Sequence, residues 1–252
     1  MLSKERMLRI MNILNSHSFV TIQELIQQLG VSKSTINRDL IELERQGLVK
    51  RERGGAMKVE MKETLNNLKE IPVREKEYVH REEKRRICKR AAERIQNGDC
   101  IYVDSGTTPS YLLEYLHHKD IKLVTPSTYI VRKLPMDFRG EIYLVGGEFN
   151  IGYDMSTGYH TLEMIRKFHF DKAFFSASGI DLTNGEVMSV DFSIGAVKEE
   201  VLRRSRECYL LADKSKLSIQ ALATWANLEQ FDLVFTDEEV EGNLPDNFIV
   251  CK

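Results

Sequence analysis

Residues 31–53 read VSKSTINRDLIELERQGLVKRER, polar at the front, apolar at regular spacing and basic at the end. Ser32 or Ser34 is a candidate N-cap, because a hydroxyl there accepts a free backbone N–H of a first helical turn. Ile36, Leu40 and Leu43 then fall at i, i+4 and i+7, one stripe of a 3.6-residue helix. Gly47 suits the left-handed residue that ends a helix. The opposite face carries Ser34, Arg38 and Arg45, flanked by Lys33 and Asn37. Hydroxyls, an amide and cations near a helix N-terminus reach phosphates and base edges in a major groove.

Residues 21–29 spell a helix with a capping box, Thr21 with Glu24, and an apolar stripe of Ile22, Leu25, Ile26 and Leu29. Gly30, Val31 and Ser32 make the turn between the two. Helix, tight turn and polar-fronted helix together read as a helix-turn-helix. Residues 3–15, with Met7, Ile10, Met11 and Leu14 at helical spacing, complete a three-helix core. Amphipathicity alone favours an ordinary helical hairpin with a solvated face. The continuation changes that reading: Leu48 and Val49, then Lys50, Arg51 and Arg53, then Gly54-Gly55, form a short strand, alternating cations and a turn, like a wing. The DNA-facing set is Thr21, Ser32, Lys33, Ser34, Thr35, Asn37, Arg38, Lys50, Arg51 and Arg53.

The 252 residues accommodate a small domain and a medium one. Hydrophobic content of 42% and charged content of 29% describe an ordinary soluble protein. Through Glu60 there are ten Lys and Arg against seven acids; the remainder has 26 against 31. A mildly basic head on an acidic body suits a DNA reader joined to a body that does not bind DNA. Cys88, Cys100, Cys208 and Cys251 are widely spaced and read as reduced thiols. With no secretory signal and no apolar run of membrane length, the expected location is cytoplasmic and not in a membrane.

Residues 59–80, with Pro72 discouraging a helix, read as a linker between a domain at 1–58 and one at 81–252. Residues 81–96 form a charged helix with Ile87, Ala91 and Ile95 inward, its charge run a solvated face. From Asp99 onward, short apolar runs alternate with helical stretches. Strands are expected at 100–103, 121–124, 141–145, 172–176, 208–211, 233–236 and 248–251. Helices are expected at 109–116, 128–134, 161–167 and 192–205. The alternation implies parallel strands with crossover helices, a doubly wound α/β sheet.

Ligands of such sheets bind at the strands' carboxyl ends. After the first strand stand Asp104, Ser105, Gly106, Thr107 and Thr108, then Pro109, which suits a first helical position. Glycine permits close backbone approach, and the hydroxyls join free N–H groups at a helix start. That is an anion site, most naturally for phosphate, or equally a helix cap with no ligand. The other strand ends tilt the balance toward a polar site: Thr125 and Ser127, Gly146 and Gly147, Ser178 and Gly179, Asp213 and Lys216. Lys198 and Lys216 are candidate cations, although solvated surface is the better reading of each lysine alone.

These motifs, in this order, resemble the DeoR family of bacterial transcriptional regulators over nearly the whole chain. The N-terminal match runs through Val31, Ser32, Thr35, Ile36, Arg38, Asp39, Leu40, Leu43, Glu44, Gly47, Arg51, Gly54, Gly55 and Ala56. The C-terminal match covers residues 104–108, 125–127, 146–147, 171–181 with Gly185, and 211–217. It departs at Asn37, usually arginine; Pro126, usually asparagine; Lys214, usually histidine; and Ile194, often a glutamate. The resemblance implies a winged helix-turn-helix followed by a ribose-5-phosphate-isomerase-like α/β sensor domain. It also implies a regulator, more often a repressor, of a carbohydrate-utilisation operon, whose operator binding a phosphorylated sugar modulates.

The expected partners are double-stranded operator DNA, a phosphorylated sugar and further copies of the chain, as a dimer or tetramer. No cofactor and no catalytic or metal-binding residue is expected. His117 and His118 are adjacent and cannot share a helix face, His160 and His169 are isolated, and no Cys/His cluster has zinc spacing. Gly-x-Gly-x-x-Gly is absent. The enzyme alternative is a sugar-phosphate isomerase with an appended DNA-binding domain, Asp104 serving as acid or base. Phosphate at the 105–108 loop is expected to reposition the 81–96 helix.

Overall fold

A computed structural model describes residues 3–16, 19–45, 49–52, 54–58, 76–77, 79–217, 219–237 and 244–252. The chain divides into two compact units, residues 1–62 and 63–252. Gly47, Arg53 and most of the expected 59–80 linker lie outside the described residues.

In the smaller unit the elements run α1 (Ser3–Ser16), β1 (Phe19–Thr21), α2 (Ile22–Leu29), α3 (Lys33–Arg45), β2 (Val49–Glu52) and β3 (Gly55–Lys58). The capping box at Thr21 forms as expected. Its hydroxyl accepts the Glu24 N–H at 3.1 Å, and the Glu24 carboxylate accepts the Thr21 N–H at 2.8 Å. Gly30 ends α2 at φ 65°, the left-handed turn that a side chain would oppose. Ile10, Leu14, Leu25, Ile36, Leu40 and Leu43 bury together, with Val20, Val49 and Ala56 from the strands. The strands pair antiparallel in the order β1-β3-β2. β1 is absent from the sequence reading, which placed only a helix cap at Thr21. The ion pair between Arg6 on α1 and Asp39 on α3 is absent from it too. Asp39 is only 2% exposed, and Arg6 Nη2 donates to its Oδ1 at 2.9 Å.

The larger unit is built on seven parallel strands: β4 (Cys100–Val103), β5 (Lys122–Thr125), β6 (Glu141–Leu144), β9 (Phe170–Ser176), β12 (Ser205–Leu211), β14 (Leu233–Thr236) and β15 (Phe248–Val250). Their order across the sheet is β15-β14-β12-β9-β4-β5-β6. Alternate residues face opposite sides. Ile101, Val103, Phe174 and Tyr209 meet α4 (Arg81–Ala92), the 3-10 helix Pro109–Tyr115 and α5 (Thr128–Lys133). Tyr102, Ala173, Phe175 and Leu210 meet α6 (Gly158–Ile165) and α7 (Phe192–Arg203). Helices on both faces make the sheet doubly wound.

Four expectations need correction. The 109–116 helix is 3-10 rather than α, and α4 stops at Ala92 instead of 96. The 161–167 helix starts earlier, at Gly158, where φ is 83°. Five short strands were missed. β7 (Glu148–Asn150) and β8 (Met155–Thr157) pair as a hairpin, and β10 (Gly179–Asp181), β11 (Glu186–Ser189) and β13 (Ala223–Asn227) form an antiparallel sheet. Strands of three to five residues show too little alternation to stand out in a sequence, and the pairing that stabilises them is non-local.

Candidate functional site

The first surface lies on the smaller unit. Ser32, not Ser34, caps α3: its hydroxyl accepts the Thr35 N–H at 3.3 Å and lies 2.9 Å from the hydroxyls of both Ser34 and Thr35. Three hydroxyls thus gather where unpaired N–H groups and the helix dipole favour an anion. Ser32, Lys33, Ser34 and Arg38 are exposed, and Thr35 and Asn37 are half-buried beside them. Arg38 makes no ion pair among the described residues. The wing cations are exposed but paired, Lys50 with Glu52 at 2.8 Å and Arg51 with Glu44 at 3.6 Å. Gly54 turns the wing at φ 88°. The Thr21 hydroxyl is engaged in the capping box, which makes it a support for α2.

The second constellation lies on the larger unit. β4 leads to β5 and β6 on one side, while β9 leads to β12, β14 and β15 on the other. The direction of winding therefore reverses between β4 and β9, and a crevice at the carboxyl ends is expected there. Asp104, just past β4, is fully buried. Its Oδ2 accepts the Ser176 N–H at 2.9 Å and the Ser176 hydroxyl at 2.5 Å, and lies 2.9 Å from Lys198 Nζ. Lys198 also donates to the Ser176 carbonyl at 2.7 Å. Asp104 Oδ1 is buried without a hydrogen-bond partner among the described residues. Lys198 is 3% exposed, so the solvated-surface reading of that lysine was wrong. Gly106 is required by crowding, since a Cβ there would stand 2.2 Å from Ser176 Oγ.

α4 holds the group that sequence reasoning missed. Lys84, read as part of a solvated charge run, is 4% exposed. Its ammonium donates to Thr107 Oγ1 at 3.0 Å and to the Lys76 carbonyl at 2.9 Å. It makes no ion pair among the described residues. Burial brings its pKa down to about 8, with Asp213 pulling it up and Lys216 and Lys76 pushing it down. Burial pushes Asp213 up as well, but Lys216, the Ser215 hydroxyl, His80 and Lys84 outweigh it and hold this carboxyl below its usual range. Asp213 also caps the 3-10 helix Lys214–Lys216, accepting the Ser215 N–H at 3.0 Å. The signal in the sequence was positional. Lys84 lies three residues before Ile87 and seven before Ala91, on the inward stripe of α4.

The remaining expected residues divide. Ser105 and Thr108 are buried beside Asp104 in sequence, the Ser105 hydroxyl donating to Met155 Sδ at 2.9 Å. Thr125 and Ser127 are buried one strand over; Thr125 accepts the Ser127 N–H at 3.2 Å, and Ser127 caps α5 by accepting the Ile130 N–H at 3.4 Å. Gly146 and Gly147 follow the edge strand β6, two places from β4. A Cβ at Gly147 would stand 1.9 Å from Thr161 Oγ1, so close packing accounts for it. Gly179 belongs to β10, where a Cβ would meet the Ile219 carbonyl at 2.1 Å, and the Ser178 N–H bonds Met188 O at 3.0 Å. Lys216 is half-buried. A shallow depression beside Asp171, Arg203 and Arg206 sits at the amino ends of β9 and β12, the wrong end of the sheet for a ligand crevice.

No group of three or more His, Cys, Asp or Glu among the described residues is arranged to hold a metal. His117 instead meets Asp137 at 2.8 Å on the surface. No helix among them is long and apolar enough to cross a membrane. The described cysteines are all free thiols.

Residues 6–62 match the DeoR-like helix-turn-helix domain, and residues 79–238 match the DeoR C terminal sensor domain. The chain belongs to the DeoR family. This DeoR-family chain is a DNA-binding transcriptional regulator with a reader and a sensor domain. It is 31% identical to the glycerol-3-phosphate regulon repressor of Escherichia coli over 231 residues, 90% of this chain and 88% of the relative. It is 32% identical to the lactose phosphotransferase system repressor of Streptococcus mutans over 248 residues, 97% and 96% of the two chains. Among solved structures it is similar to ribose 5-phosphate isomerase A from Methanocaldococcus jannaschii, with a TM-score of 0.41, 15% identity and 55% of each chain covered. It is also similar to the sorbitol operon regulator SorC from Klebsiella pneumoniae, with a TM-score of 0.38, 13% identity, and 82% and 89% covered.

Proposed function

We propose that this DeoR-family regulator represses a carbohydrate-utilisation operon in the cytoplasm and responds to a phosphorylated sugar bound at the carboxyl ends of β4, β9 and β12. The observation that carries the proposal is Lys84: a buried ammonium whose partners are neutral oxygens. Burying a cation without a direct ion-pair partner is unfavourable; Asp213 acts on it only from a distance, and an anion beside Thr107 would supply the contact. The phosphate would lie on residues 105–108 with Lys84 and Lys216 as cations. Asp104 Oδ1, buried without a hydrogen-bond partner among the described residues, would accept a sugar hydroxyl. The relatives' names, which include glycerol 3-phosphate and a sugar phosphotransferase system, fit that ligand class. The pocket serves as a sensor and not as an enzyme: Asp104, the acid or base of the isomerase alternative, is already engaged by Lys198 and Ser176.

Ser32, Lys33, Ser34, Thr35, Asn37 and Arg38 would face the operator's major groove, with the wing beside them. One such domain buries little surface, so at least two heads on repeated half-sites, and hence a homodimer or tetramer, are part of the proposal. The domain limits proposed are 1–58 for the reader, 59–80 for the linker and 81–252 for the sensor.

A thermal-shift screen against paired sugars and sugar phosphates tests the effector. One phosphorylated sugar should stabilise the protein while its free form does not. Thr107→Ala with Thr108→Ala should remove that shift and leave operator binding intact. A screen in which every phosphate is silent would reduce the 105–108 loop to a helix cap, and turnover of the stabilising sugar phosphate would restore the isomerase alternative.

A further inference from the structure

Two chains of hydrogen bonds run from Thr107 to the same pair of residues, Lys76 and Glu77, where the chain comes into the sensor domain. Through the side chain, Lys84 Nζ bridges Thr107 Oγ1 at 3.0 Å and the Lys76 carbonyl at 2.9 Å. Through the backbone, the Thr107 carbonyl accepts the Ser110 hydroxyl at 2.8 Å, and Ser110 Oγ accepts from Lys133 Nζ at 3.4 Å. Lys133 Nζ in turn lies 2.6 Å from Glu77 Oε1. Lys133 is held over the rings of Tyr111 and Tyr129, 5.2 and 4.7 Å from their centroids. The Tyr111 hydroxyl donates to the Glu77 carbonyl at 2.8 Å. The segment is thus fastened to the sensor through Lys84, Lys133 and Tyr111, and the first two lead back to one threonine.

We infer that this double tether carries effector binding to the segment joining the two domains: an anion at the 104–108 loop draws Lys84 away from the Lys76 carbonyl, shifts Thr107, and loosens residues 76 and 77. The inference rests on the effector reading given above. Its physical basis is competition for one ammonium. A bond from a cation to an anion is roughly twice as strong as one to a neutral acceptor, so a bound phosphate that engages the third N–H of Lys84 draws the ammonium toward itself and lengthens its bond to the carbonyl. The buried, partly deprotonating amine is poised for that exchange, because its present partners compensate its charge poorly. Ser110 and Lys133 transmit the movement of the Thr107 carbonyl to Glu77. Linkage makes the effect reciprocal: whatever loosens residues 76 and 77 beforehand must tighten anion binding.

Hydrogen–deuterium exchange on the full chain, titrated with inorganic phosphate, tests this directly. Phosphate should slow exchange in peptides covering residues 105–110 and speed it in those covering 76–84. Lys133→Met keeps the stem over the tyrosine rings and removes the charge. It should exchange fast over 76–84 without phosphate, and should reach half-protection of 105–110 at roughly fivefold lower phosphate. Glu77→Gln cuts the same pair from the other end and should behave alike, which guards against a folding defect peculiar to one variant. Protection of 105–110 with no change over 76–84, or variants whose phosphate midpoint matches the wild type, would overturn the tether while leaving the effector site standing. No protection of 105–110 at any phosphate concentration would remove the effector reading, and the tether with it.

Discussion

Arg38 and Lys84 are the two cations whose surroundings say most. Arg38 is exposed at the front of α3 with no acidic partner among the described residues, whereas the wing cations Lys50 and Arg51 are held by Glu52 and Glu44. An unengaged guanidinium loses no existing bond on meeting a base or phosphate. Arg38→Ala should weaken operator binding by about 1–3 kcal/mol, measured by fluorescence anisotropy, with effector affinity unchanged; equal operator affinity would take Arg38 out of the interface. Lys84 sets a pH dependence. Its pKa near 8 means that it binds an anion as an ammonium below that pH and loses its charge above it. Effector affinity should therefore be flat between about pH 7 and 8, above the second ionisation of a phosphate monoester near 6, and fall above about pH 8 by up to roughly tenfold per pH unit. Lys84→Met should bind weakly and without that slope. The sign for folding is opposite. A folded-state pKa below the unfolded value means the unfolded chain binds more protons, so this residue's contribution to stability improves as pH rises from about 8 toward the unfolded value.

At the scale of elements, α3 is oriented by a charge pair as well as by its apolar stripe. Asp39 projects from α3 into the core and takes Arg6 from α1, the one acid among Ile36, Leu40 and Leu43. Replacing the carboxylate weakens a charge-assisted bond between the two helices, at a cost of about 1.5–3 kcal/mol. Asp39→Asn should lower the melting transition of the reader domain in calorimetry and weaken DNA binding without touching a base. A reader transition at the wild-type temperature would show the pair to be dispensable. On the sensor side, the junction of β4 and β9 is held together at a single carboxylate. Asp104 bonds the Ser176 backbone across the two strands and Lys198 covers the pair from α7, so three elements lock at one carboxylate.

For the whole molecule, the charge distribution fits the division of work: the head through Glu60 has an excess of three cations and the body an excess of five acids. Operator binding should then be steeply salt-dependent, since each neutralised phosphate releases counterions. Effector binding, at a partly buried site, should depend on salt far less. Titrations of both at two ionic strengths check this; equal salt slopes would mean that the head does not read DNA through its phosphates.

The winged reader and the parallel order of strand and helix were legible along the chain. Both rest on local signals: the Thr21–Glu24 capping box, the Ile36, Leu40 and Leu43 stripe, and the short apolar runs ending in Asp104, Thr125, Ser176 and Leu211. The family could be read from the same residues. Tertiary structure alone decided which lysines are buried, because burial is set by what packs against a helix and not by the helix's own residues. Lys84, amid Arg81, Glu82, Glu83, Arg85 and Arg86, looks solvated until Thr107 is brought to it from 23 positions away. The pairing of Asp104 with Lys198, the ion pair of Arg6 with Asp39, and the small sheet of β10, β11 and β13 were hidden for the same reason. Each joins residues distant in the chain, and only the closed fold sets the distance between them.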